Sequence, residues 1–203
     1  MGYMKKLLLP VLAGLLLASC TYTKPIELQT GDLIFVCGQD EMDRAVSAAT
    51  DVYNHVAIVE RMGDSLLVID ATPSRGVARR SLDDFVNGLT DENKLMYPMR
   101  MTVAVDTAQV MKLAKALVGV RYDSAFLPDN DRIYCSELIQ RCYLDKAGNP
   151  FFASRPMNFC DTTFTMQPYW EGWFASLGME VPQNVMGTNP SDLFSDPRLK
   201  PVE

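Results

Sequence analysis

Histidine is almost missing from this 203-residue chain, where His55 is the only one. Five cysteines are present, but no two form a Cys-x-x-Cys pair. These two shortages exclude the zinc sites built from clustered cysteine and histidine, and no metal or cofactor is expected. Positive charge is also short. Lys and Arg number 19 against 25 Asp and Glu, a formal net charge of −6. That balance argues against nucleic acid as a partner and against electrostatic binding to anionic lipid. No apolar run is long enough to span a bilayer comfortably, which takes about 20 residues. Leu7 to Ala18 is apolar but is interrupted by Pro10 and Gly14. Internal repeats and low-complexity tracts are absent.

What is present at the N-terminus is a leader. Lys5 and Lys6 precede the apolar run, and the pattern reads as a secretory signal. Its end, Leu17-Ala18-Ser19-Cys20, resembles a bacterial lipobox. The resemblance implies a signal peptide over residues 1–19, cleavage before Cys20 and lipidation of the Cys20 thiol. The membrane is then a partner through the anchor. Thr21 rather than Asp follows Cys20, which points to the outer membrane, facing the periplasm. Residues 20–30 read as a tether and 31–203 as one domain with a proper core. Loss of Lys5 and Lys6 takes the formal charge to about −8. The compartment is oxidising. A disulfide among Cys37, Cys142 and Cys160 is open, with no pair favoured.

The pattern of elements predicts an α+β domain. Gly31-Asp32 is a turn before a buried strand, Leu33 to Cys37. Asp40 caps a short helix through Ala49. Val56 to Val59 and Ser65 to Ala71 are buried strands joined at Gly63-Asp64 as a hairpin. His55 begins the first of them and Asp70 stands near the end of the second, so both flank the open end. Ser81-Leu82-Asp83-Asp84 starts a helix. Leu95 to Val105 alternates as a third strand, and Asp106-Thr107 caps a helix bearing Val110, Leu113, Ala114, Leu117 and Val118. Arg121 to Arg132 is a polar loop. Residues 149–203 read as a wrap over the core, with a short helix near Trp170 to Leu177.

The richest stretch is Tyr134-Cys135-Ser136-Glu137-Leu138. Cys135, Leu138, Ile139, Cys142 and Tyr143 share one face of a predicted helix running to about Lys146, with Asp129-Asn130-Asp131 offered as caps. Cys135 then lies in the first turn, where unpaired N–H groups and the helix dipole favour a thiolate. Taken by itself, Cys135 reads as a core cysteine. The lone histidine and the strand-ending carboxylate change that reading. A nucleophilic thiol needs an imidazole to take its proton and a third group to orient the ring. A buried strand that carries Asp70 also needs a partner for it, and His55 is the natural one.

Four segments carry a further resemblance. Gly31 to Phe35, His55 to Val59, Val68 to Ala71 and Tyr134 to Leu138, in that order, resemble the NlpC-type papain-like cysteine peptidases. With the cysteine helix after the histidine strand, the order is that of their circularly permuted branch, the YaeF/YiiX amidase group. The closing Gly187-Thr188-Asn189-Pro190-Ser191-Asp192-Leu193 is also similar to that group. The resemblance implies a permuted papain-like fold, an antiparallel sheet or half-barrel packed on helices with the nucleophile at a helix N-terminus. It implies Cys135 as nucleophile, His55 as base and Asp70 as the group holding the ring. Asp70 departs from the glutamate common at that position. Tyr122, Glu137 and Asp32 match family positions and are carried as substrate-binding candidates. Residue by residue, Glu137 reads first as an acid complementing the helix dipole and Asp32 as a turn residue. The expected activity is amide cleavage in small peptides such as cell-wall stem peptides. Acyl transfer or thioester hydrolysis on lipid acyl groups is the alternative, and a silent binding lipoprotein of the same fold stands third.

Overall fold

The computed structural model describes residues 26–203. The leader and Cys20 lie outside the described residues. Among the described residues no helix is long and apolar enough to cross a membrane.

Strands β1 (Leu33–Cys37), β2 (His55–Met62), β3 (Ser65–Thr72), β4 (Gly76–Ser81) and β5 (Leu95–Met101) come from the first half of the chain. Helices α1 (Glu41–Thr50), α2 (Leu82–Asp91), α3 (Thr107–Ala116) and α4 (Cys135–Cys142) separate or follow them. The last third adds β6 (Arg155–Met157), α5 (Pro168–Ser176), β7 (Val185–Gly187), α6 (Pro190–Phe194) and β8 (Leu199–Pro201). The main sheet runs β4-β3-β2-β1-β5-β8, with every neighbouring pair antiparallel. β6 and β7 form a separate pair.

The two faces of the sheet are covered differently. Leu33, Phe35, Val56, Ile58, Ile69 and Ala71 pack with Val110, Ala114, Leu138, Ile139 and Cys142 of α3 and α4. Ile34, Val36, Ala57, Val59 and Val68 face the other way, onto Phe85 of α2. Strands buried on both faces explain the near-continuous apolar runs that mark β1 to β3 in the sequence. A third cluster, Ala45, Phe159, Trp170 and Phe174, docks α5 on α1.

The hairpin is built as its sequence predicts. The two-residue loop pairs Met62 with Ser65, and the register carries through to Ala57 opposite Asp70. The strand β4 is not evident from its Arg79-Arg80 pair, yet it forms the sheet edge. Its start depends on Gly76, at φ +65°, where a Cβ would lie 2.2 Å from the Val120 carbonyl oxygen. Val77 N–H donates to that same oxygen at 2.8 Å.

Three expectations are corrected. The strand predicted to Val105 stops at Met101. The helix predicted to Lys146 stops at Cys142, because Asp145 folds back to accept from Ala147 and Asn149 N–H in a tight turn. The segment 149–203 is more than a wrap, since it supplies β8, the sixth strand of the main sheet.

Candidate active site

Cys135 is the first residue of α4, the position where the backbone N–H has no partner within the helix. Cys135 is 6% exposed. Asp129, Asn130 and Asp131 do not cap this helix. Asn130 instead accepts from Arg132 N–H and donates to Asp123. Tyr134 occupies the cap position, and its N–H donates to Glu137 at 3.4 Å. The helix is buried almost all round rather than on one face: Ser136, Glu137, Leu138, Ile139 and Cys142 are all buried. Its polar residues are therefore bonded. The Ser136 hydroxyl donates to Thr188 O at 3.0 Å, and Glu137 accepts from Arg141 Nε at 2.9 Å.

His55 opens β2. Its Nε2 meets Asp70 Oδ2 at 2.9 Å. The register places the pair diagonally on one face, which sequence could not decide without the loop geometry. Asp70 is 1% exposed, and the same Oδ2 accepts from Arg80 Nη2 at 2.7 Å. Asp70 Oδ1 has no partner. Burial alone would lower the His55 pKa. Hydrogen bonding to Asp70 and to Cys135 outweighs it, and the pKa rises to about 10. For Asp70 burial pushes upward, but His55 and Arg80 together hold the carboxyl below its usual range. With Nε2 engaged by Asp70, Nδ1 is the ring nitrogen left for Cys135.

Cys135 and His55 open onto a cavity of about 570 Å³, with Asp70 buried behind the ring, within the size range of small-molecule sites. Cys135, His55, Tyr122 and Arg80 line it. So do Asn54, Thr188 and an apolar wall of Phe126, Met157, Phe159 and Trp170. Tyr122 is buried. Desolvation first, then the nearby Cys135, pushes its hydroxyl well above the ordinary pKa, so it remains protonated.

Two substrate-binding candidates lie away from the cavity. Neither Glu137 nor Asp32 lines the cavity. Glu137 is held by Arg141 and the α4 cap. Asp32 is gripped by the Arg100 fork, at 2.6 and 2.7 Å, and accepts from Gln29 N–H. Both readings made residue by residue, a first-turn acid and a turn residue, describe these positions better.

Two features have structural roles that the sequence pattern does not reveal. Arg80 was visible only as one of an arginine pair. A two-residue hairpin loop implies that His55 and Asp70 share a face, and this was the available signal. The closing segment proves to be a clamp. Ser191 Oγ accepts from Tyr53 N–H and donates to Tyr53 O, both at 3.0 Å, beside His55. Thr188 N–H donates to the Tyr134 hydroxyl at 3.1 Å, beside Cys135.

Cys37, Cys135, Cys142 and Cys160 are all free thiols, so none of the pairings left open is formed. Among the described residues no three side chains of His, Cys, Asp or Glu converge as metal donors.

The sequence profile of the permuted papain-like amidase enzymes (YaeF/YiiX, C92 family) matches residues 27–203. The fold is similar to a crystal structure described as the metalloprotein yiiX from Escherichia coli O157:H7. The TM-score is 0.71 and the identity 21%, over 86% of this chain and 96% of that one. The metal of that description finds no matching donor set in the described residues. No curated protein matches the chain.

Proposed function

The chain belongs to the permuted papain-like amidases of the C92 family, and from that premise we propose an exported, lipid-anchored cysteine hydrolase that cleaves amide bonds in small peptides through Cys135, His55 and Asp70. The observation that carries the reading is the pairing of the only histidine with a buried carboxylate behind it and with a thiol at a helix N-terminus, the histidine and the thiol both lining one cavity.

The chemistry follows from these positions. The proton shared by Cys135 and His55 rests on the imidazole, whose raised pKa favours it there, and the sulfur attacks the substrate carbonyl carbon. The oxyanion forms beside the Cys135 N–H, a donor with no helical partner. Tyr122 lines the same cavity, its hydroxyl kept neutral by burial. His55 returns its proton to the leaving amine, which departs and leaves a thioester. Water, deprotonated by His55, then hydrolyses the thioester to a carboxylate and the free thiol. Asp70 holds the ring so that one nitrogen faces the sulfur throughout. General acid–base help supplies on the order of 10²–10⁴ in rate and an oxyanion donor about 10²–10³.

The proposed location, a lipid anchor at Cys20 in the outer membrane, favours cell-wall stem peptides. One observation favours acyl groups instead: the wall of Phe126, Met157, Phe159 and Trp170. The test is to incubate purified protein with short stem-peptide amides and, in parallel, with phospholipid. Amine release that disappears in Cys135→Ala supports the amidase. Acyl release from phospholipid alone supports the second substrate class. Turnover of neither, with wild-type and Cys135→Ala indistinguishable, overturns the hydrolase assignment and leaves the binding lipoprotein.

A further inference from the structure

The edge strand β4 contributes one side chain to the site. The register places Arg80 opposite Val68, and Asp70 opposite Ala78. His55, Asp70 and Arg80 thus form a diagonal across three adjacent strands on one face, the face that packs on α2. Both donors converge on Asp70 Oδ2, at 2.9 and 2.7 Å, while Oδ1 has no partner. The Arg80 guanidinium is held from the other side by the Phe85 ring, 4.8 Å from its centroid. Its Nε has no partner.

We infer that Arg80 is a positioning residue of the site: it fixes which carboxylate oxygen Asp70 presents to His55 and, as a permanent cation beside the pair, limits how tightly the imidazole holds its proton. A carboxylate with one open oxygen can turn about its last bond. Two donors on a single oxygen leave one orientation that satisfies both. The electrostatic part has a definite sign. Asp70 attracts a proton onto His55, and a fixed positive charge on the far side of that carboxylate offsets the attraction. An imidazole that binds its proton too strongly cannot return it to the leaving amine, so this offset serves turnover. The charged or titratable groups facing the ring are Asp70 from β3, Arg80 from β4 and Cys135 from α4. Tyr122 and Asp84 line the same cavity, from the loop after α3 and from α2 respectively.

This inference rests on the reading of His55 as the base, but its test requires no turnover. His55 is the only histidine, so ring resonances from ¹⁵N-histidine report it alone. Cys135→Ala is the background, because it removes the thiolate. Adding Arg80→Gln is expected to raise the His55 midpoint by about one to two pH units, the scale for a cation at such range. Arg80→Lys is expected to restore the midpoint most of the way. A midpoint unmoved or lowered in Arg80→Gln overturns the inference and leaves Arg80 a structural counter-ion. Should Arg80→Gln fail to fold, the unsubstituted background protein supplies the answer. There the Arg80 Nε signal is expected to shift at the His55 midpoint, and a signal indifferent to that titration overturns the inference. Absence of amide turnover with the expected midpoints would leave Arg80 coupled to His55 and would count only against the hydrolase reading.

Discussion

Asp70 has one of the shortest carboxylate side chains, yet it reaches His55 at 2.9 Å. Ala57 rather than His55 sits directly opposite Asp70, so the pair is a diagonal one and the imidazole ring spans the longer gap. The consequence is a base with a strongly raised pKa. A histidine raised from 6.5 to about 10 stays protonated through neutral pH and loses its proton only above that range. Amide turnover, which requires the ring to donate, is therefore expected to hold at neutral pH and fall as pH rises through about 10. Asp70→Asn removes the attraction, so the alkaline fall should move down toward the ordinary histidine value, with kcat reduced on the order of 10²–10⁴. A pH–rate profile checks both. His55 and Cys135 stand out in the sequence because each is a rare residue type at a strand start or helix start, and Asp70 because it interrupts an apolar strand. Arg80 does not, because an arginine pair on a strand edge has no sequence signature separating a buried partner from a solvated one.

The helix α4 is the element on which the site depends, and its energetics follow from complete burial. Leu138 and Ile139 are fully buried against the sheet. Leu138→Ala should lower unfolding stability by about 2–5 kcal/mol, measured by chemical denaturation. Ser136 ties the helix to the closing segment through Thr188 O. Ser136→Ala leaves that buried carbonyl without its donor, and a loss of about 1–3 kcal/mol is expected in the same measurement. The helix start was readable from Cys135 onward. Its early stop at Cys142 was not, because the apolar periodicity continues through Tyr143 while the Asp145 turn that ends the helix depends on side-chain bonds to residues further along. The clamp formed by residues 188–191 was likewise hidden, since its partners Tyr53 and Ser136 are far away in sequence.

Across the whole molecule, the fold was legible from the apolar runs of β1 to β3 and from the order of four motifs. The short helix near Trp170 was readable and is α5, but the sixth strand and the docking of α5 on α1 were not, because the tail's short, Pro-rich segments take their placement from the surfaces they cover. The proposed lipid anchor is a property of the full chain. Cys20→Ser is expected to move the protein from the membrane fraction to the soluble fraction, or to leave it uncleaved in the membrane with residues 1–19 still attached, and fractionation with intact-mass analysis distinguishes these outcomes. The four free thiols also differ by environment. Cys142 is fully buried and its pKa is pushed up to about 12 by desolvation, Cys37 and Cys160 are partly exposed, and Cys135 is 6% exposed beside His55. Ordinary accessibility therefore ranks Cys135 below Cys37 and Cys160, whereas a thiolate prepared by His55 ranks it first. Site-resolved alkylation of the purified protein at neutral pH, read by peptide mass spectrometry, decides between them. Cys135 labelling faster than Cys37 and Cys160, and slowing sharply in His55→Ala, is the expected result. Cys135 labelling no faster than the exposed pair, or at an unchanged rate without His55, contradicts the catalytic assignment.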